Sequence, residues 1–195
     1  KHQQSSAALR LAGLHFWAAG QNPLAERLLK QSIEEHPKTA ELVKTDLLDL
    51  YESAPNRLFK LNQFYQAQLQ DPRLTKASEL YYKLRVAEIA AERRGNIPRQ
   101  LMSEAAEVAK QYSKSVRKTK QGTNAYGKVM FWDLLQKERT FRNIRLSGGE
   151  AQMEANFKKK LNMIKELEKD YLVLSKSGSP HWGLGSIYKT SRLYY

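Results

Sequence analysis

Apolar residues recur at spacings of three and four along much of the chain, and the clearest run lies within residues 149–176. Side chains at these spacings share one face of an α-helix. The members of this run are Met153, Phe157, Leu161, Ile164, Leu167, Tyr171 and Leu174. At about 1.5 Å of rise per residue, such a helix is about 39 Å long. Because no convincing alternating strand pattern appears, the sequence predicts an all-α fold.

Proline and glycine divide the rest of the chain into further helices. Proline suits the first helical position, where its missing N–H costs nothing, and glycine suits the residue after a helix end. The expected starts are Asn22-Pro23, Asp71-Pro72 and Ser179-Pro180, and the expected ends are Gly20, Gly95, Gly122 and Gly178. The predicted helices span residues 5–19, 23–36, 39–53, 55–70, 72–94, 97–116, 123–144, 149–176 and 180–195.

A short pattern recurs with an offset of 35 residues. The two copies are Phe16, Leu29, Ser32 and Pro37, and then Tyr51, Phe64, Ala67 and Pro72. In the first copy, the small residues Gly13 and Ala25 would let two antiparallel helices approach closely. This arrangement resembles the tetratricopeptide repeat, whose pattern is a large residue, Leu-Gly, Tyr, Ala, Phe and Pro in that order.

The resemblance implies a superhelical stack of antiparallel helical hairpins, that is, a tetratricopeptide-like solenoid of roughly nine helices. Residues 5–72 would form two repeats. Residues 73–195 would form divergent, longer hairpins of the same solenoid, truncated in the last helix, so we expect a fragment of a larger protein. The residues expected to pack the repeats are Gly13, Phe16, Ala25, Leu29, Tyr51, Phe64 and Ala67. A plain helical bundle whose first two hairpins converge on the same packing stays open as an alternative.

The C-terminal part carries a second resemblance, to the ends of periplasmic tetratricopeptide proteins of gliding and predatory bacteria. In those proteins a long lysine-rich helix ends in a Tyr motif, and a loop, a Trp and a last helix follow. Tyr171, Trp182 and Tyr194 match this pattern, whereas Ser191 stands where that family usually has Gly. The resemblance implies a periplasmic location and a role in motility or surface-attachment assemblies of the cell envelope. The absence of cysteine fits the cytoplasm equally well, so that location stays open.

The net charge of +13 arises entirely in the second part of the chain. Residues 1–72 hold 8 basic and 8 acidic side chains, whereas residues 73–195 hold 25 basic and 12 acidic ones. Such asymmetry indicates a partner with an acidic surface. The candidate partner-binding residues, expected to lie near each other, are Lys114, Arg117, Lys118, Lys120, Arg139, Arg142 and Arg145. A basic helical RNA-binding module and a structural spacer with a solvated face are the alternatives.

No set of residues in the sequence predicts catalysis. The string Gly122–Lys128 matches a phosphate-binding loop up to Val129, where a Ser or Thr is required. We interpret Ser147 and Glu150 as a capping box for the long helix. The histidines lack metal-binding spacing, and no nucleophile elbow occurs, so neither an enzyme nor a metal site nor a cofactor is predicted. The sequence therefore favours a protein–protein interaction scaffold without a transmembrane segment.

Overall fold

The computed structural model describes the backbone of residues 2–194 and the side chains of residues 7–194. This part of the chain forms ten helices and no strand. The helices are α1 (His2–Ala18), α2 (Asn22–Glu35), α3 (Ala40–Glu52), α4 (Arg57–Gln68), α5 (Lys76–Arg94), α6 (Arg99–Gln111), α7 (Ser113–Val116), α8 (Lys120–Arg142), α9 (Glu150–Ser175) and α10 (Pro180–Ser191). The all-α class is confirmed, and most helices that are neighbours in sequence pack against each other.

The chain divides into two compact units, Lys1–Phe64 and Tyr65–Tyr195, and the division falls inside α4. Each unit contains its own packed helices. The division differs from the boundary expected at residue 72, which lies beyond the end of α4. The assignment of residues 5–72 to two repeats stays a prediction.

In the first unit, α1 and α2 approach closely at Gly13, as the pattern predicted. A Cβ atom added to Gly13 would lie 2.9 Å from Cγ of Leu29, and both Leu29 and Ala25 are fully buried. Tyr51 and Phe64 are also buried, and their rings meet edge to face with centroids 6.2 Å apart. The close approach at Gly13 shows why α1 and α2 require a small residue on one helix opposite a large residue on the other.

Two of the expected packing residues behave differently. Phe16 is only half-buried, and Ala67 is exposed, so the assignment of Ala67 to the packed interior was wrong. The reason is the direction of the buried face of α4, which carries Phe64 and Tyr65. That face centres on Leu61, which lies between Phe64 and Tyr65 around the helix. At about 100° per residue, Ala67 lies about 120° from Leu61 and so outside the buried face.

In the second unit, α8 is the central helix. It packs against α5 and α6 on one side and against α9 and α10 on the other. The shared core includes Leu80 and Leu84 of α5, Val129 of α8 and Tyr171 of α9. Leu193 also joins this core, because the chain turns inward after α10 ends at Ser191. The helix predicted to run to residue 195 therefore ends earlier.

Three of the four glycines predicted to mark helix ends do so. Gly20, Gly95 and Gly178 have positive φ angles of 75°, 73° and 91°, which glycine tolerates without strain. Gly122, in contrast, lies inside α8, which begins at Lys120 after the cap Thr119. An added Cβ at Gly122 would lie 1.9 Å from the carbonyl oxygen of Val116, so close backbone approach explains this glycine.

One predicted helix start and one predicted capping box are also wrong. Asp71-Pro72 lies in a turn, and α5 begins at Lys76 because the hydroxyl of Thr75 accepts a hydrogen bond from the Ser78 N–H at 3.2 Å. The capping box at residues 147–150 does not form: Gly149 occupies the N-cap of α9 and makes no side-chain hydrogen bond. The tenth helix arises because the predicted helix 97–116 breaks at Tyr112, with φ −115° and ψ 28°, which separates α6 from α7.

The long helix α9 is confirmed, but only its C-terminal half is buried. Leu167, Tyr171 and Leu174 belong to the core. Met153, Phe157 and Leu161, the first members of the same apolar run, are 41%, 51% and 43% exposed. The difference arises because α10 has 12 residues and α9 has 26, so α10 accompanies only the second half of α9.

Candidate functional site

One face of the second unit forms a shallow groove of about 450 Å³. Three helices line it: α5, α8 and α10. The groove combines aromatic rings, side-chain amides and cations, and these residues are Tyr81, Arg85, Gln121, Asn124, Lys128 and Trp182. An open surface of this composition can hold an extended segment of another molecule, because rings anchor it and amides offer both donors and acceptors.

Trp182 is held in the groove by a glycine on the neighbouring helix. A Cβ atom added to Gly127 would lie 2.7 Å from Cδ1 of Trp182. The indole also contacts the ring of Phe131, one turn farther along α8, with centroids 5.3 Å apart. The indole is therefore fixed against α8 and only half-buried, so part of it faces the groove.

The charged residues of the groove leave an excess of positive charge. Glu88 accepts hydrogen bonds from Lys128 and from Arg85, the latter at 2.6 Å. The single carboxylate of Glu88 thus pairs with two cations. Burial lowers the pKa of Arg85, but its contacts with Tyr65 and Glu88 outweigh burial and raise that pKa above the ordinary value. Arg85 therefore stays charged, and the groove favours an acidic ligand.

A second cavity, of about 440 Å³, lies beside α5 and α6. Its lysines are paired locally: Lys76 contacts Glu79 at 2.7 Å, and Lys83 lies 3.9 Å from Glu104. Because each cation there has its own carboxylate, this cavity lacks the charge excess of the first groove.

The seven predicted partner-binding residues are all exposed, but they do not form one patch. Lys114, Arg117, Lys118 and Lys120 lie near the start of α8, whereas Arg139, Arg142 and Arg145 lie near its end. The 19 residues from Lys120 to Arg139 correspond to about 29 Å along a helix. The expectation of a single basic patch was therefore wrong, because α8 is continuous and separates the two groups.

Arg142 is the one member of this set that also holds the fold together. The buried carboxylate of Glu138 accepts hydrogen bonds from Arg142 Nε at 2.9 Å and from the Tyr171 hydroxyl at 3.0 Å, and it lies 3.1 Å from Lys189 Nζ. Burial raises the pKa of Glu138, but these contacts outweigh it and lower the pKa below the ordinary value. Tyr171 is accordingly a buried link between α8 and α9.

The glycine string does not form a phosphate-binding loop. Residues 122–128 lie within α8, so their backbone N–H groups are directed along the helix, and Lys128 pairs with Glu88. Across the part of the chain that the structure describes, no cluster of three His, Asp or Glu side chains is placed to hold a metal ion.

Sequence reasoning missed most of the groove. Trp182 was identified only through the resemblance of the C-terminal part. Arg85 and Gln121 carry no motif, and Asn124 lies in the string Gly122–Lys128, which indicates a different kind of site. Arg85 comes from α5 and the other two from α8, about 35 residues farther along the chain, so they meet only after packing.

No family model, curated protein or solved structure matches this chain. Among residues 2–194, no helix combines the length and the apolar composition needed to cross a bilayer.

Proposed function

We propose that this chain is a protein–protein interaction module that holds a segment of an acidic partner protein in the groove between α5, α8 and α10. One observation carries the proposal: a half-buried indole, exposed amides and two cations that share one carboxylate lie together in an open groove. Aromatic and Arg side chains supply much of the binding energy at protein interfaces. The amide of Gln121 and the Nδ2 group of Asn124, whose Oδ1 accepts a hydrogen bond from the Ser179 hydroxyl at 3.0 Å, suit the peptide backbone of an extended segment.

The charge of the protein supports an acidic partner. The net charge is +13, and basic residues flank both ends of α8. Complementary charge accelerates encounter and rejects partners of the wrong sign. The resemblance at Tyr171, Trp182 and Tyr194 supports, as part of the proposal, a tetratricopeptide-type scaffold in a periplasmic assembly for motility or surface attachment.

Binding of RNA is the weaker alternative. Bases of single-stranded RNA stack on exposed aromatic rings. Near the basic residues, however, Tyr126 and Phe141 are buried, and the guanidinium of Arg117 already lies over the Tyr126 ring at 5.2 Å. The basic ends of α8 therefore offer phosphate contacts without a stacking surface.

The test uses capture of partners from a cell extract, mass spectrometry, and then affinity measurement with the purified partner. Gln121→Glu with Asn124→Asp adds two negative charges to the groove at nearly constant shape. Both residues are exposed, so we expect the fold to be retained and the affinity for an acidic partner to fall at least about tenfold.

Gln152→Glu with Asn162→Asp is the matched control, because it adds the same two charges on exposed positions of α9, outside the groove. This control should retain most of the affinity. Equal losses in the two variants would mean that only the net charge matters and that the groove is not the site.

A further inference from the structure

The pair of helices α9 and α10 has a second face, opposite α8 and outside the groove. On α10, Trp182 and Lys189 face α8, and Gly183 faces α9, since its added Cβ would lie 3.0 Å from the Ser175 carbonyl oxygen. The remaining side of α10 carries three large apolar residues at helical spacing. Leu184, Ile187 and Tyr188 are 69%, 58% and 56% exposed.

The adjoining side of α9 is apolar as well. Leu172 is exposed there, and Leu161 and Phe157 are exposed on the same side of α9, in the half of the helix that α10 does not accompany. Leu172 follows Glu168 by one turn, and Glu168 faces the end of α10, where it accepts a hydrogen bond from the Tyr194 hydroxyl.

The two rows meet along the contact between the helices. Ile187 follows Gly183 by one turn on α10, just as Leu172 follows Glu168 on α9, so both lie beside the helix–helix seam. We call this surface the outer apolar face, and its residues are Phe157, Leu161, Leu172, Leu184, Ile187 and Tyr188. Apolar groups that cluster in this way on an exposed surface mark an interaction site.

A row of lysines borders the outer apolar face on α9. Lys165, Lys169 and Lys176 are exposed and lie at spacings of four and seven residues, next to Leu161 and Leu172. Within the described residues they make no ion pair. An apolar strip with a cationic border is complementary to an amphipathic surface whose border is acidic.

We propose that the outer apolar face binds an amphipathic α-helix of a partner protein, with the apolar side of that helix over Leu172, Leu184 and Ile187 and acidic residues toward the lysine row. A helix suits the surface, because the other face of the same pair is already covered by a helix, α8, packed in this manner. The site shares no residue with the groove, so the two proposals stand or fall separately.

The charge excludes a second copy of this chain as the preferred occupant. Two such faces in contact would bring two lysine rows together in molecules that each carry +13.

The probe is a fluorescent peptide of about 18 residues, which makes five helical turns. It carries Leu at positions i, i+3, i+4 and i+7, with Glu on both borders, and a second peptide has Lys in place of every Glu. Fluorescence anisotropy with the 195-residue chain should show the acidic peptide binding at least about tenfold more tightly than the basic one, a preference that weakens as salt is added.

Leu184→Glu with Ile187→Glu should weaken binding of the acidic peptide at least about tenfold, because it places charges in the apolar strip. Leu42→Glu with Phe59→Glu is the matched control, since both of those residues are exposed apolar side chains in the first unit. It should leave the affinity unchanged. Circular dichroism and the melting temperature establish that both variants fold.

Four results would overturn the proposal. The acidic and basic peptides could bind equally, or the α10 variant could bind like the control variant. The chain could instead sediment with vesicles of phosphatidylserine and phosphatidylcholine in a manner lost in the α10 variant, which would identify a membrane surface. A dimer in sedimentation analysis that the same variant dissociates would identify a second copy of this chain as the occupant.

The groove variant Gln121→Glu with Asn124→Asp should not change peptide binding, so failure at one site is distinguishable from failure at the other.

Discussion

At the scale of single residues, the glycines are the most informative about helix packing. Gly13 and Gly127 both sit where a large residue of another helix, Leu29 or Trp182, occupies the space of a Cβ atom. The pattern around Gly13 revealed its role before the structure, because it matched a known repeat. Gly127 gave no such signal, since Trp182 lies 55 residues farther along the chain.

Gly13→Leu should lower the free energy of unfolding by at least about 1–3 kcal/mol, the usual cost of overpacking. The physical reason is the 2.9 Å approach of the missing Cβ to Leu29. Urea denaturation followed by circular dichroism measures the effect. Ala18→Leu adds similar bulk at an exposed position of α1 and should be close to neutral. If both substitutions cost the same, close packing at Gly13 is not the cause.

Glu26 should make the stability of the first unit sensitive to acid. Its carboxylate accepts hydrogen bonds from Lys60 and, at 2.9 Å, from the Tyr51 hydroxyl, and it pairs with Lys30 at 2.8 Å. Burial raises the pKa of Glu26, but these contacts outweigh it and lower the pKa to about 2. Because the pKa is lowered on folding, this stabilisation is present above the unfolded-state pKa and is lost as the pH falls toward the folded one.

The expected loss therefore occurs between pH 4.5 and about 2. At neutral pH, Glu26→Gln should cost about 2 kcal/mol, since a hydrogen bond to a charged group contributes about 1.5–3 kcal/mol. The variant should also depend less on pH in that window, as measured by urea unfolding at a series of pH values. Glu34→Gln, at an exposed position of the same helix, is the control. An unchanged pH dependence in Glu26→Gln would contradict the assignment.

At the scale of elements, periodicity predicted the helices well but not what covers them. The limits of α9 differ from the predicted ones by one residue at each end, because an apolar stripe with a period of 3.6 defines a helix locally. The same stripe could not show that Met153, Phe157 and Leu161 lack a neighbour, since coverage depends on the length of α10. Likewise, Gly122 was read as a helix end, because nothing local distinguishes a terminating glycine from one required by a close backbone contact.

Hydrogen exchange should divide α9 into two halves. Amides of residues 153–161 should exchange much faster than those of residues 167–174, because only the second half is buried in the core. Exchange measured by mass spectrometry on peptides from these ranges checks this. Uniform protection along α9 would mean that its first half is covered in solution.

At the scale of the whole molecule, the spatial arrangement of the basic residues was predicted least accurately from the sequence. The count of basic residues was correct, but their arrangement depended on α8 being one continuous helix. The two basic groups are about 29 Å apart, which exceeds the Debye length of about 8 Å at physiological salt. They therefore act on an approaching partner as separate sources of attraction.

Lys114→Glu with Lys118→Glu, and Arg139→Glu with Arg145→Glu, should each slow association with an acidic partner, and the two effects should multiply in the fourfold variant. Arg142 is left unchanged because it contacts the buried Glu138. Stopped-flow kinetics at two salt concentrations measures the rates, and RNA in place of the partner tests the alternative. A combined effect no larger than one pair alone would show that the partner contacts a single end of α8.

The contacts of Glu138 constrain the order in which relatives of this protein could change. One carboxylate pairs with Arg142 and Lys189 and accepts a hydrogen bond from the Tyr171 hydroxyl. The side chain of Glu138 is only 5% exposed, whereas those of Arg142 and Lys189 are 50% and 27% exposed. A lineage that loses both basic residues first would bury a carboxylate without a compensating charge, which is the costlier order, because the two cations can still reach solvent when the acid is lost. Relatives that keep an acid at position 138 should therefore also keep at least one of the two basic residues, a dependence that the separation of these positions in the chain conceals.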